Sequence, residues 1–235
     1  MKSRRQFVKQ GAFTAAALVI ARPFKALAGT SGLFAPYNNN HLVFLHTHNA
    51  SIAAVGNTAV YMQDIVSKSN STLLLHAGGQ EANNFRFDVQ ASAIGQTGDY
   101  KIVQKGKIKT GIISLAADEK NAAEKVNELA AMLKNEMNCQ MVVCISQLGF
   151  KNKNAADDMT LAEASANVDL IIGGHSTNYT NHTMVVKNSK KQAVIVQSSK
   201  NKDRDCAKIE FSFDDAGMQR HVHIGTRLYK HAVTA

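Results

Sequence analysis

The sequence predicts an α/β protein, built as a mixed sheet or two packed sheets with helices outside. Three observations lead there. Apolar runs of strand length recur through the first part of the chain, separated by longer stretches of helical spacing. One such stretch, 117–137, sets Ala, Val and Leu at helical intervals with Glu and Lys between them. From Asn181 onward the pattern changes to strands alone, as short alternating runs punctuated by turn residues.

Taken in order, 30–40 is rich in Gly, Ser and Asn with Pro36, and reads as a flexible lead-in. Residues 41–46 form a first strand, 53–67 carry helical spacing, and 72–75 form a second strand ending at Gly78-Gly79. The runs 101–104 and 107–115 flank Gly106 as a hairpin. After the helix over 117–137 come a strand at 141–145, a short helix at 161–166 and a strand at 168–172. Strands follow at 183–187, 193–198, 207–213 and 220–228, the last two joined by a tight turn over Asp214-Asp215-Ala216-Gly217. There is no internal repeat, low-complexity tract or second-domain linker. The length suits one domain able to bury a core without staples.

The first residues have a separate logic. A basic head, an apolar run over 11–20 and Ala26-Leu27-Ala28 give the anatomy of a secretory signal cleaved after Ala28. The apolar run is too short to span a bilayer. Ser3-Arg4-Arg5-Gln6-Phe7-Val8-Lys9 resembles the twin-arginine signature, so export to the periplasm or beyond is expected, with no transmembrane segment left after cleavage. This segment holds six Lys and Arg and no acid, so the formal +9 of the chain falls to +3 without it. With the basic excess so reduced, and no aromatics interleaved with Lys or Arg, nucleic acid is excluded as a partner. Cys139, Cys144 and Cys206 are odd in number and lack C-x-x-C spacing, which argues against a disulfide framework or zinc knuckle. Cys144, inside an apolar run, reads as a core thiol, and a single disulfide stays open.

Five segments then resemble one family. Leu45-His46-Thr47-His48-Asn49-Ala50-Ser51 is similar to its first-strand motif Leu-His-Thr-Asn-Asp-x-His. Leu73-Leu74-Leu75-His76-Ala77-Gly78-Gly79 is similar to Leu-Leu-Leu-Asp-Ala-Gly-Asp, and Asn83-Asn84-Phe85-Arg86-Phe87-Asp88 to Gly-Asn-His-Glu-Phe-Asp. The stretches around Gln147-Leu148-Gly149 and Asp169-Leu170-Ile171-Ile172-Gly173-Gly174-His175-Ser176-Thr177 resemble its His-Leu-Gly and Asp-x-Ile-Ile-Gly-Gly-His-Ser-His segments. The family is the 5′-nucleotidase branch of the calcineurin-like metallophosphoesterases. The resemblance runs from about residue 41 to 235 and implies one domain, a four-layer α/β/β/α sandwich with its metal site at the strand ends.

In that family, two divalent ions hold the phosphate and generate the attacking hydroxide. Carried over position by position, the resemblance implies a depleted ligand set. The first-strand Asp falls on Asn49 and its partner His on Ser51; the bridging Asp falls on Gly79. Asn84 is retained, but the catalytic His beside it falls on Phe85. The later His positions are Gln147, His175 and Thr177, of which only His175 is kept. Without an anionic bridge two dications would repel, so normal dinuclear catalysis is not expected. Set beside the family, the chain is expected to have a shortened insert before Asn84 and no C-terminal substrate domain.

Two readings stay open. The first is a non-catalytic relative with no cofactor, binding a phosphorylated small molecule or a separately encoded substrate-binding domain. The second is an active phosphoester hydrolase with one metal, Zn²⁺ or Mn²⁺, on Asn84, His175 and the candidate His76. Against the second, His46 and His76 read as structural histidines with satisfied rings. His221 and His223 share a strand face; they read as solvated, with a metal clip as the sharper alternative. Gly78-Gly79 and Gly173-Gly174 read as turns, or as a close approach to phosphate.

Overall fold

The computed structural model describes residues 40–48, 62, 64–67, 70–78, 87–91, 99–153, 155–199 and 206–225. Its strands are β1 (His41–Thr47), β2 (Thr72–His76), β3 (Val89–Gln90), β4 (Tyr100–Lys105), β5 (Ile108–Leu115), β6 (Met141–Ser146), β7 (Leu170–Gly173), β8 (Met184–Lys187), β9 (Ala193–Ser198), β10 (Ala207–Phe213) and β11 (Gln219–Gly225). Two helices accompany them, α1 (Ala122–Asn135) and α2 (Asp158–Ala164). The strands form two mixed sheets, one ordered β11-β10-β1-β2-β3 and the other β4-β5-β6-β7-β9-β8.

In the first sheet β1-β2-β3 run parallel with antiparallel β10 and β11 on one side; in the second β5-β6-β7-β9 run parallel between antiparallel β4 and β8. Parallel strands buried on both faces are continuously apolar rather than alternating, and β1 is such a strand. Leu42 and Phe44 pack with Leu75, Ile112, Val143 and Ile172 in a core shared by the two sheets. Phe44 meets Phe211 edge to face at 5.7 Å. Val43 and Leu45 point the other way, toward Met62, Ile65 and Cys206. On the far face of the second sheet, Val126 and Leu133 of α1 and Leu161 of α2 pack on Val142, Cys144 and Ile171. Among the described residues no helix is long and apolar enough to cross a membrane.

The structure departs from the sequence reading in four places. The expected helix over 117–137 is confined to Ala122–Asn135. Its entry residue Asn121 makes no side-chain cap, and Glu119 just upstream pairs instead with Lys125 at 2.7 Å. The short helix begins earlier than expected, at Asp158, because Asp157 caps it. The Asp157 carboxylate accepts from the Thr160 N–H at 2.7 Å, and the Thr160 hydroxyl accepts from the Asp157 N–H at 3.0 Å. β3 is too short to leave a periodic signal. Finally, the run of late strands is not one block. β9, buried almost throughout, joins β7 in the second sheet, whereas β10, which alternates, pairs with β1 in the first. The turn over 214–217 is as expected, with the Gly217 N–H donating to the Asp214 carbonyl at 2.9 Å.

Candidate functional site

Parallel strands bring their C-terminal ends to one edge. Thr47 lies opposite His76 at the ends of β1 and β2, and Ser146 lies opposite Gly173 at the ends of β6 and β7. The segments leaving these strands enclose a cavity of about 400 Å³. Its described walls are His48 and Gly78 beyond β1 and β2, Ala117 beyond β5, Gln147 beyond β6, and Gly174, His175 and Ser176 beyond β7. That volume lies within the range of small-molecule sites. A separate depression near Thr180 and Cys206 has room for only about 10 Å³, less than a ligand needs.

The two sheets meet at the floor of this cavity. The Gln147 side-chain N–H donates to the Ala77 carbonyl at 2.6 Å. Gly174 packs against the same carbonyl so closely that a Cβ there would fall on the Ala77 oxygen and the Gln147 amide nitrogen. The second glycine of the pair thus serves a backbone approach between sheets, and any side chain would force them apart. Gln147, at a position where the family resemblance implies a ligand histidine, is committed to holding that approach.

His175 sits in the turn after β7. Its Nδ1 accepts from the backbone N–H groups of Thr177 at 3.2 Å and Asn178 at 3.1 Å. A neutral imidazole that accepts at one nitrogen carries its proton on the other, so Nε2 is an N–H donor. Binding a metal at Nε2 would require moving that proton to Nδ1 and breaking both backbone contacts. Thr177, at the position of a second histidine, contributes its N–H to the same turn.

The histidines at the ends of β1 and β2 differ from each other. His46 is fully buried and satisfied, as expected: its Nε2–H donates to the Gln197 side-chain oxygen at 2.7 Å and Nδ1 accepts from the Ser199 hydroxyl at 2.8 Å. Burial pushes its pKa down to about 4, with the Gln197 contact opposing part of the fall. His76 departs from expectation. It is also fully buried, tilted on Phe87 with ring centroids 5.3 Å apart, but among the described residues neither ring nitrogen is within hydrogen-bond geometry of a partner. Burial lowers its pKa first and the nearby His48 imidazole lowers it further, while the His48 backbone opposes part of the fall. His76 lies under Gly78 and outside the described cavity wall. His221 and His223 are exposed on β11 and lie opposite Ser212 and Glu210.

Asn49, Ser51, Gly79, Asn84 and Phe85 lie outside the described residues, as do Arg4, Arg5 and Ala28. Among the described residues, no group of three His, Cys, Asp or Glu side chains could hold a metal ion. The described wall carries no carboxylate, its retained histidine has the proton on Nε2, and its glutamine is hydrogen-bonded to backbone. This donor set does not fit the dication centre that the family resemblance implies.

One buried group behind the wall has no place in the sequence reading. Asp158, the first residue of α2, is fully buried with both carboxylate oxygens outside hydrogen-bond geometry of any partner. Oδ2 lies 2.6 Å from where a Gly173 Cβ would stand, so glycine makes its room. Burial raises its pKa to about 7; the nearby Ser146 hydroxyl tempers the rise and Asp157 adds to it. Both Asp157 and Asp158 are buried, but only Asp157 is spent as the helix cap. All three cysteines are free and buried; burial, aided by Asp158, pushes the Cys144 thiol well up.

Solved structures share this architecture. A 5′-nucleotidase precursor from Thermus thermophilus superimposes with a TM-score of 0.59 at 16% identity, over 78% of this chain and 53% of its own. NAD nucleotidase from Haemophilus influenzae gives 0.56 at 13% identity, over 78% and 50%. A putative 5′-nucleotidase from Staphylococcus aureus gives 0.50 at 10% identity, over 81% and 56%. At such identities the likeness establishes the fold: an α/β architecture of two mixed sheets resembling 5′-nucleotidase structures. The chain spans about half the length of these proteins. No protein-family model matches the sequence, and no curated protein does.

Proposed function

We propose that this protein is an exported, non-hydrolysing relative of the 5′-nucleotidases that acts as a binding or partner domain. The observation that carries the reading is the Gln147–Ala77 hydrogen bond at the point where metal ligands from both sheets would converge. A side chain committed to backbone, beside a glycine that admits no Cβ, leaves the described site without an anion between two cations. The shared core and the helices on one outer face support the four-layer α/β/β/α sandwich, and Arg4-Arg5 with cleavage after Ala28 supports the twin-arginine route to the periplasm. A phosphorylated small molecule or a separately encoded substrate-binding domain is the partner this reading proposes.

Elemental analysis of the folded mature protein tests this, together with a phosphatase assay on nucleotides and a chromogenic phosphoester with Mn²⁺, Zn²⁺, Co²⁺ or Mg²⁺. Metal-free protein and no turnover are expected. Metal-dependent turnover abolished by Asn84→Ala or His175→Ala would overturn the reading.

One observation favours a second reading, a hydrolase with a single metal on His76, Asn84 and His175. Among the described residues, the buried His76 ring has no partner in hydrogen-bond geometry at either nitrogen, a costly arrangement that a ligand would relieve. This reading predicts stoichiometric metal and a melting temperature that rises with metal, since ligand binding to the native state stabilises it.

A further inference from the structure

We propose that the Asp158 carboxyl is a proton-operated latch behind the strand-end cavity: neutral, it lets the segments leaving β6 and β7 close on each other, and ionised, it forces them apart. The device governs access to the cavity and does not depend on whether anything held there is hydrolysed.

The place of Asp158 in the fold carries this. Both wall segments rest on the residue. Its N–H donates to the Gly149 carbonyl at 2.8 Å, just beyond Gln147, and its Oδ2 packs on Gly173, just before Gly174 and His175. The two segments are also tied to each other: the Phe150 N–H donates to the Asn178 carbonyl at 3.1 Å, and the Asn178 N–H to His175 Nδ1 at 3.1 Å.

The surroundings suit a neutral acid and not its anion. Beside the carboxyl stand the Ser146 hydroxyl and Cys144 thiol of β6, the Gly173 backbone of β7 and the Ser198 hydroxyl of β9. Asp157 on the same helix is a second acid. On α1, Lys125 and Lys134 are paired with Glu119 and Asp169, while Glu124 and Glu128 are exposed, as is Lys187 on β8. Among the described residues no cation pairs with Asp158 and neither of its oxygens is in hydrogen-bond geometry with a partner. A buried carboxylate so placed is costly unless water reaches it. Burial brings its ionisation to about pH 7. Water enters only if the start of α2 parts from Ser146 and Gly173, which moves Gly149 and Gly174 with it. Gly149, at φ 94°, supplies a joint that other residues rarely adopt. A charge change thus biases a closed and an open arrangement of one wall.

The test is NMR spectroscopy on the folded protein, without added ligand, from pH 5 to 8.5. The backbone amides of Gly149, Gly174, His175 and Asn178 should shift along one titration curve shared with the Asp158 carboxyl carbon, while the amide of Ala130 on α1 stays put. Above the transition the backbone order parameters of 147–149 and 174–178 should fall from about 0.85 to below about 0.6. Asp158→Asn, which keeps the shape of the neutral acid, should hold the wall closed throughout and abolish the curve. His48 and His175 remain in that variant, so a transition of their own would persist in it. Ser146→Ala gives a second measurement. The Ser146 hydroxyl favours the charged form, so its loss should move the midpoint up by about half a pH unit or more. A transition that survives Asp158→Asn, shifts without loss of order in the two segments, or a midpoint that falls in Ser146→Ala would each overturn the proposal. Phosphatase and metal assays leave it untouched, so its failure and that of the non-hydrolysing reading are read separately.

Discussion

The side chain of Gln147 donates a 2.6 Å hydrogen bond to the Ala77 carbonyl, and so joins the end of β6 in one sheet to the end of β2 in the other. Gly174 packs on the same carbonyl, so closely that no Cβ fits between them. The consequence is both structural and chemical. The residue at the position where the family resemblance implies a ligand histidine helps hold the two sheets together.

Gln147→Ala should destabilise the protein by about 1–3 kcal/mol, the usual range for leaving a buried backbone carbonyl unpaired. Gln147→His should not restore metal affinity, because the described wall would still lack a carboxylate. Urea unfolding and equilibrium dialysis against Zn²⁺ measure the two effects. Tight zinc binding by the histidine variant would contradict the account.

Gly174→Ala should be worse, at about 3 kcal/mol, the upper end for overpacking. The added methyl meets backbone and cannot swing aside. A variant with unchanged urea midpoint and slope would show that the sheets do not approach as described.

Two buried groups should give opposite pH dependences. Asp158 has a folded pKa near 7, above its ordinary value of 3.8, so the native state holds the extra proton between those values. Its stabilisation is present at low pH and is lost as pH rises toward 7. His46 has a folded pKa near 4, below its ordinary 6.5, so the unfolded state holds the extra proton there. That contribution is present above pH 6.5 and is lost as pH falls toward 4. Asp158→Asn should therefore leave a protein whose stability climbs from pH 4 to 6.5, and His46→Gln one whose stability declines from pH 4 to 7. Each slope should sum to roughly 2–4 kcal/mol over its window. Chemical denaturation at half-unit pH steps reads both, and parallel profiles for the two variants would refute the assignment.

Ellman's reagent should find no rapidly reacting thiol in the native protein and three after denaturation, since Cys139, Cys144 and Cys206 are buried and free. Fewer than three thiols in the denatured, unreduced protein would reveal a disulfide.

Much of the fold was legible because its signals are local. The run at 41–46 announced β1, the hairpin over Gly106 announced β4 and β5, and helical spacing announced α1. Individual sites were less legible. His46 and His76 occupy similar places at strand ends and drew the same reading. Yet His46 finds Gln197 and Ser199, far away in sequence, while His76 packs on Phe87 and meets no hydrogen-bond partner among the described residues. Which neighbour a side chain meets across sheets depends on how distant strands are ordered, and the period of one strand carries no record of that.

The sequence by itself determined the strand and helix periods, the resemblance to nucleotidases, and the residue types available where their ligands stand. Tertiary structure decided the division of the late strands between two sheets, the commitment of Gln147 to Ala77, the tautomer of His175 and the burial of Asp158. The reason is physical: a residue's type limits the bonds it can make, but only the convergence of separate loops selects its partner.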